Sequence, residues 1–440
     1  MASHCSLEVW RPLMVGLLLA GGLIFVAHPL PAFGDALDPS RSGRVDPLPD
    51  LPIRSPGEEI PHTLYLPLLG RGVALGTRIG YAVEDLSTLR HYADGKPEGL
   101  GVTSMKAGWY LAWRTLEAPP RPDGMEFVQM VRVHQDLTCP LDDPLAYDRT
   151  RCPYREPYSY TYWPDAATLQ RIARANPGAL WLLGNEIDRR DWPGGRQDEI
   201  LPEVYAEAYH ELYTLIKGAD PTARVAIGGV VQITPLRLRY LDRVWDAYQA
   251  RYGERMPVDV WNMHIFILPE KRYGWGADIP VGIEDVDTGA YLFRPDAEGN
   301  PTVPMPEHME MRYIDEQVRL FRWWLKAKGE QEKPVVVTEY GVLLLNWMMG
   351  LPEDEPQPVL DFMLATFDYF LNTQDCSLGY PWDDCRLVQR WAWYGLDFTS
   401  PFNEYGRLLG PAGLELSPAG MAFRDWVAGN LDALTRRPYP

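Results

Sequence analysis

The chain has 440 residues, 46% of them hydrophobic and 23% charged, with 60 acidic against 42 basic side chains and a formal net charge of −18. This is the composition of a globular protein with enough apolar mass for a large core. The charge excludes a nucleic-acid partner, since phosphates would be repelled and no Lys/Arg cluster offsets the excess.

Aromatics are plentiful, with 16 Trp and 24 Tyr. They suit a packed core or a cleft that stacks flat rings, and composition does not separate the two.

In chain order, Arg11 precedes an apolar run over 13–27, and Ala32-Phe33-Gly34 supplies small residues at signal-peptidase spacing. The run is shorter than the ~20 residues that span a bilayer, so residues 1–34 are expected to be a signal peptide. Contact with a membrane is expected only if this segment is kept as an anchor. Residues 35–69 form a Pro-rich linker whose last run, 64–69, is expected to dock on the following domain.

Beyond Cys5, the cysteines fall into two close pairs, Cys139/Cys152 and Cys376/Cys385. Without CxxC spacing or accompanying histidines they read as disulfides of an exported protein rather than a zinc site.

From residue 70 to 440 the pattern is that of one domain. Short apolar runs at 78–84, 108–115, 126–134, 179–187, 224–232, 259–266, 334–342 and 390–396 predict strands. Stretches of helical period lie at 165–175, 202–217, 236–252, 306–328 and 359–372, and a last one follows Ser417-Pro418. Eight strands alternating with helices predict a closed (β/α)8 barrel of the α/β class. No GxGxxG follows the first strand, which removes a dinucleotide site. Long connections at 135–164, 267–305 and 373–389 are expected on the active-site face. Both disulfides would then stiffen the rim of the cleft. Tyr158, Tyr160, Tyr162 and Trp163 read either as loop packing or as sugar contacts, and Asp136 and Asp188 as solvated or capping carboxylates.

Two glutamates carry the chemistry. Glu186 ends the fourth run as Leu183-Gly184-Asn185-Glu186, and Glu339 ends the seventh as Val337-Thr338-Glu339-Tyr340. Catalytic groups of such barrels gather at the C-terminal ends of strands. Two carboxyls about 5–5.5 Å apart can cleave a glycosidic bond with retention, one as acid/base and the other as nucleophile.

In these motifs the sequence resembles the clan A glycoside hydrolases, among them the family-five cellulases and mannanases and the family-39 xylosidases. The resemblance spans about residues 76–430. It implies Glu186 as acid/base, Glu339 as nucleophile and Asn185 as a hydrogen-bond partner of the sugar 2-hydroxyl. It also implies that Arg114 and His134, ending the second and third strands, lie near the nucleophile, either touching substrate or supporting the site. His264 matches the histidine of the family's His-x-Tyr on strand six, but Phe266 stands where the tyrosine should hold the nucleophile. Tyr340 or a loop tyrosine is the expected substitute. Trp391 and Trp393 resemble the sugar-stacking segment of strand eight, with Trp393 favoured as the floor of the subsite.

These features imply a secreted retaining β-glycoside hydrolase acting on an oligo- or polysaccharide, with no metal and no cofactor. The competing readings are a non-catalytic carbohydrate-binding barrel and a transglycosylase using the same glutamates.

Overall fold

The computed structural model describes residues 77–93, 101–141, 143, 146–192, 197–290, 306–398, 402–410 and 415–435. The expected signal peptide and linker lie outside these residues. Every predicted strand forms at its run, β3 passing its end by one residue: β1 (Ile79–Ala82), β2 (Trp109–Leu111), β3 (Glu126–Gln135), β5 (Leu180–Asn185), β6 (Arg224–Gly229), β7 (Trp261–His264), β8 (Val335–Tyr340) and β9 (Arg390–Trp393). They pair in parallel in the order β6-β5-β3-β2-β1-β9-β8-β7. A parallel bridge from Ala226 to Val260 links β6 to β7 and closes the ring. The fold is a (β/α)8 barrel.

Helices cover the outside: α1 (Leu86–Ala93), α2 (Ala166–Ala175), α3 (Pro202–Ala219), α4 (Pro235–Tyr252), α5 (Met311–Ala327), α6 (Gln357–Asn372) and α7 (Pro418–Gly429). Their starts follow from local chemistry. Asp165 accepts the peptide N–H groups of Ala167 and Thr168, Thr234 that of Arg237, and Ser417 that of Gly420. These side chains satisfy donors the first helical turn leaves unpaired. Two features were not anticipated. α1 forms outside every predicted helical stretch, and among the described residues only a short 3-10 turn, Pro122–Gly124, joins β2 to β3.

Side-chain alternation sorts the core into two layers. Trp109, Leu111, Val128, Met130, Leu180, Leu182, Val336 and Ala392 fill the lumen. Gly80 makes room for Trp109, because a Cβ there would lie 2.7 Å from the indole. The opposite phase faces the helices. It includes Trp181, Val335, Val337, Tyr340, Trp391 and Trp393.

β3 is the longest strand, and it outgrows the barrel. Its last residues pair antiparallel with an unpredicted strand, β4 (Tyr160–Trp163), in the register Arg132↔Trp163 and His134↔Thr161. The ribbon stands on the mouth of the barrel. Alternation along β4 turns Tyr160 and Tyr162 onto α3, where both hydroxyls donate to Glu211, and leaves Thr161 and Trp163 on the exposed face. Trp163 remains half exposed.

Cys139–Cys152 and Cys376–Cys385 are both bonded. The first braces the loop between β3 and β4, on the rim as expected. The second lies between α6 and β9, a helix-to-strand connection, and such connections run along the opposite end of a barrel. It stiffens the base and not the cleft.

Candidate active site

Glu186 follows β5 directly, and its backbone turns into the left-handed region at φ 49. Such conformations cost on the order of 1–3 kcal/mol and persist where the surroundings impose them. Here Asp198 imposes the turn. Its carboxylate accepts the peptide N–H groups of Val133 and Asn185, and its own N–H donates to Asn185 O at 2.8 Å. Asn185 is thus buried beside the mouth. The Glu186 carboxylate, 3% exposed, accepts from Arg189 Nη1 at 2.9 Å and Gln197 Nε2 at 3.0 Å.

Strict alternation along β8 would send Glu339 outward with Val335 and Val337. Instead the pairing of β8 shifts register against both neighbours next to Thr338 and Glu339. Irregularities of this kind re-aim side chains, and here the shift turns Glu339 into the mouth while Tyr340 still faces the helices. One oxygen from each of Glu186 and Glu339 and a ring nitrogen of His264 all lie within 4.8 Å of one another. His264 Nδ1 is 3.7 Å from Glu186 Oε1 and 3.9 Å from Glu339 Oε2. These gaps exceed a hydrogen bond but couple the three groups electrostatically. Among the described residues this is the one group whose donors converge closely enough to hold a cation.

The Glu339 carboxylate accepts the Trp113 indole N–H at 3.1 Å. Trp113 therefore supplies the contact expected of the tyrosine that Phe266 replaces. Phe266 itself packs with Val231, Leu268 and Ala277 under the loop after β7. Tyr340 is not the substitute, since it is fully buried on the helix side and its hydroxyl accepts from Thr366. The guanidinium of Arg132 is clamped by Asp198 at 2.6 Å and interacts with the charge of Glu339.

The two glutamates titrate in opposite directions. Burial raises Glu339 to about 7, and the nearby Glu186 charge adds to that while His264 and Trp113 oppose it. Burial also penalises charge on Glu186, but Arg189 and His264 outweigh it and hold this carboxyl below the usual range. His264 is raised, because Glu339 and Glu186 outweigh its burial. Like charges this close share a single proton. Burial and the Glu186 charge favour that proton on Glu339.

Several expected contacts are absent. Arg114 is exposed, because the chain turns at Trp113 (φ 33) and presents the neighbouring indole instead. His134 is buried on β3 but makes no hydrogen bond or ion pair to either glutamate. Trp391 and Trp393 lie wholly in the barrel–helix layer, Trp393 donating to Gly406 O, so neither can floor a subsite. The phase of β9 points Tyr394 inward instead, with its ring against Trp113 and its hydroxyl donating to Glu84 Oε1 at 3.1 Å. Asp188 is no solvated carboxylate. It is fully buried and ion-paired with Arg237, which also binds Glu270 and the carbonyls of Ala277 and Asp278. That network ties the loop after β7 to the loop carrying Glu186. Arg189 adds a second tie by donating to Gly276 O at 2.6 Å.

No family model and no curated protein matches the chain. Solved structures do. A family-five enzyme of subfamily 18 from Streptomyces cattleya, crystallised with GlcNAc, is 16% identical over 84% of this chain and 83% of its own, at a TM-score of 0.44. The endo-β-1,4-mannanase of Thermotoga petrophila is 13% identical over 81% of this chain and 77% of its own, at 0.38. A family 39 glycoside hydrolase from Bacteroides cellulosilyticus WH2 is 12% identical over 80% and 64%, at 0.37.

Proposed function

We propose that this protein is a secreted retaining β-glycoside hydrolase working by double displacement. The observation that carries the reading is the pair Glu186 and Glu339, on the C-terminal ends of two barrel strands, with oxygens within 4.8 Å of each other. That proximity suits retention, in which no water must fit between the carboxyls. The two disulfides fit an oxidising compartment.

Glu339 attacks the anomeric carbon while Glu186 protonates the leaving oxygen. Glu186 then takes a proton from the incoming water, and the glycosyl–Glu339 ester breaks. The shared proton must sit on Glu186 when the bond breaks. Trp113 favours that state by donating to the ionised Glu339, whereas Arg189 and Gln197 oppose it. Arg132 adds positive charge on the nucleophile's side.

The resting charges alone favour a second reading with the roles exchanged. Azide separates the two. On an activated β-glycoside, Glu339→Ala with azide is expected to yield the α-glycosyl azide, and Glu186→Ala the β-glycosyl azide. The reverse pairing would exchange the roles. Full turnover by Glu339→Ala without azide would sink the assignment.

A further inference from the structure

We propose that the ribbon of β3 and β4 carries a distal subsite for one uncharged pyranose of the same saccharide, stacked on Trp163 and hydrogen-bonded by His134 and Arg155. This rests on the glycosidase reading for its link to turnover. It is independent of that reading as a sugar-binding site.

A cavity of about 420 Å³ opens on this ribbon, lined by residues that include His134, Asp136, Leu141, Arg155, Thr161 and Trp163. Its size falls within the range of small-ligand sites, about 300–1,000 Å³. His134 is 4% exposed, and its Nδ1 lies 2.6 Å from Gln135 O. A carbonyl oxygen only accepts, so Nδ1 carries a proton and is spent on Gln135 O. Nε2 is buried and has no hydrogen-bond partner. A buried polar nitrogen left without a partner suits a ligand hydroxyl, which can both donate and accept.

The rest of the lining supplies what a pyranose needs. Trp163 is 47% exposed and Leu141 40%, giving an aromatic face and an aliphatic wall for the C–H face of a sugar ring. The Asp136 carboxylate is anchored by the hydroxyls of Ser159 (2.7 Å) and Thr161 (2.6 Å) and retains capacity to accept further bonds. Arg155 is exposed, and among the described residues its guanidinium reaches only Leu137 O at 3.4 Å. Asp136 and Arg155 bring opposite charges to the same cavity, which favours a neutral ring whose hydroxyls both accept and donate. Cys139, bonded to Cys152, also lines the cavity and fixes its outer wall.

The position relates the cavity to the glutamates. Arg132, whose charge interacts with Glu339, lies two residues before His134 on the same face of β3 and pairs in register with Trp163. Two residues advance about 7 Å along a strand. A saccharide crossing the glutamates can therefore extend onto the ribbon.

The test uses wild type and Trp163→Ala on p-nitrophenyl β-monosaccharides and on β-1,4-linked gluco-, manno- and xylo-oligosaccharides of two to six units. The expected result is a loss of about tenfold in kcat/KM on the longest active oligosaccharides, with the monosaccharides unchanged. That unchanged arm also reports intact folding. An equal loss on all substrates, or no loss at any length, overturns the proposal. If wild type cleaves none of them, the glycosidase reading fails and the subsite is judged by binding. Titration with the three hexasaccharides should then quench tryptophan fluorescence in wild type and not in Trp163→Ala. No quenching by any of them overturns it.

Discussion

The two ends of the barrel bury charge in opposite ways. At the base, Arg78 meets Asp383 through both terminal nitrogens, at 2.6 and 2.5 Å, and Glu126 joins Arg224 at 2.7 Å and Arg390 at 2.9 Å. Each carboxylate there faces a guanidinium. At the mouth, two carboxylates face each other across an imidazole that bonds to neither, one of them on a left-handed backbone and the other at a register shift. Glu186 keeps a guanidinium in Arg189, but among the described residues Glu339 has none, and a buried carboxylate left this way marks a site made for a ligand, whereas the paired charges of the base hold the barrel together.

The largest effect is expected at Glu339. Glu339→Ala should lower kcat by at least about 10⁴-fold with little change in melting temperature, measured on an aryl glycoside and by calorimetry. The base should respond in the opposite sense. Asp383→Ala leaves Arg78 buried without its partner and should cost about 3–5 kcal/mol in urea unfolding, while the folded fraction keeps its kcat.

Trp113→Phe sharpens the electrostatic side. It removes the hydrogen bond that favours ionised Glu339, so the shared proton settles there more firmly. A fall in kcat/KM of about tenfold or more is expected, in line with about 1.5–3 kcal/mol for a hydrogen bond to a charged group. The pH profile tests the sharing itself. Double displacement needs one proton on the pair, and Glu339 is raised to about 7, so kcat/KM should decline above roughly neutral pH. Arg189→Met removes a cation that favours the fully ionised pair, and it should move this alkaline limb upward by about one unit. A limb that stays in place would show that Arg189 does not control the proton. The smallest expected effect is none. EDTA should leave turnover unchanged although Glu186, His264 and Glu339 are close enough to hold a cation.

Much of the architecture was legible because buried parallel strands write continuous apolar runs, and all eight appeared where those runs lie. The strand-end glutamates were legible for the same reason. Residues whose roles depend on contacts across the fold were not. Trp113 was hidden by its neighbour Arg114, since one turn at the end of β2 decides which of the two faces Glu339. Trp391 and Trp393 carried the right spacing, but period two leaves open which phase faces the lumen, and packing against Tyr340, Phe362 and Phe367 settled it. Spacing specifies the pair Cys376–Cys385 but not its end of the barrel, which follows from its connection preceding a strand instead of following one.

Local pattern therefore specified the eight strands, their alternation with helices, the cysteine pairs and the order of Asn185-Glu186 and Glu339, since each is written by residues near in sequence. Tertiary structure alone decided that Glu339 turns inward, that Trp113 and not a tyrosine holds it, and that Arg189 competes for Glu186. These depend on a register shift, a backbone turn and a loop contact, which arise only when distant strands and loops meet at one mouth.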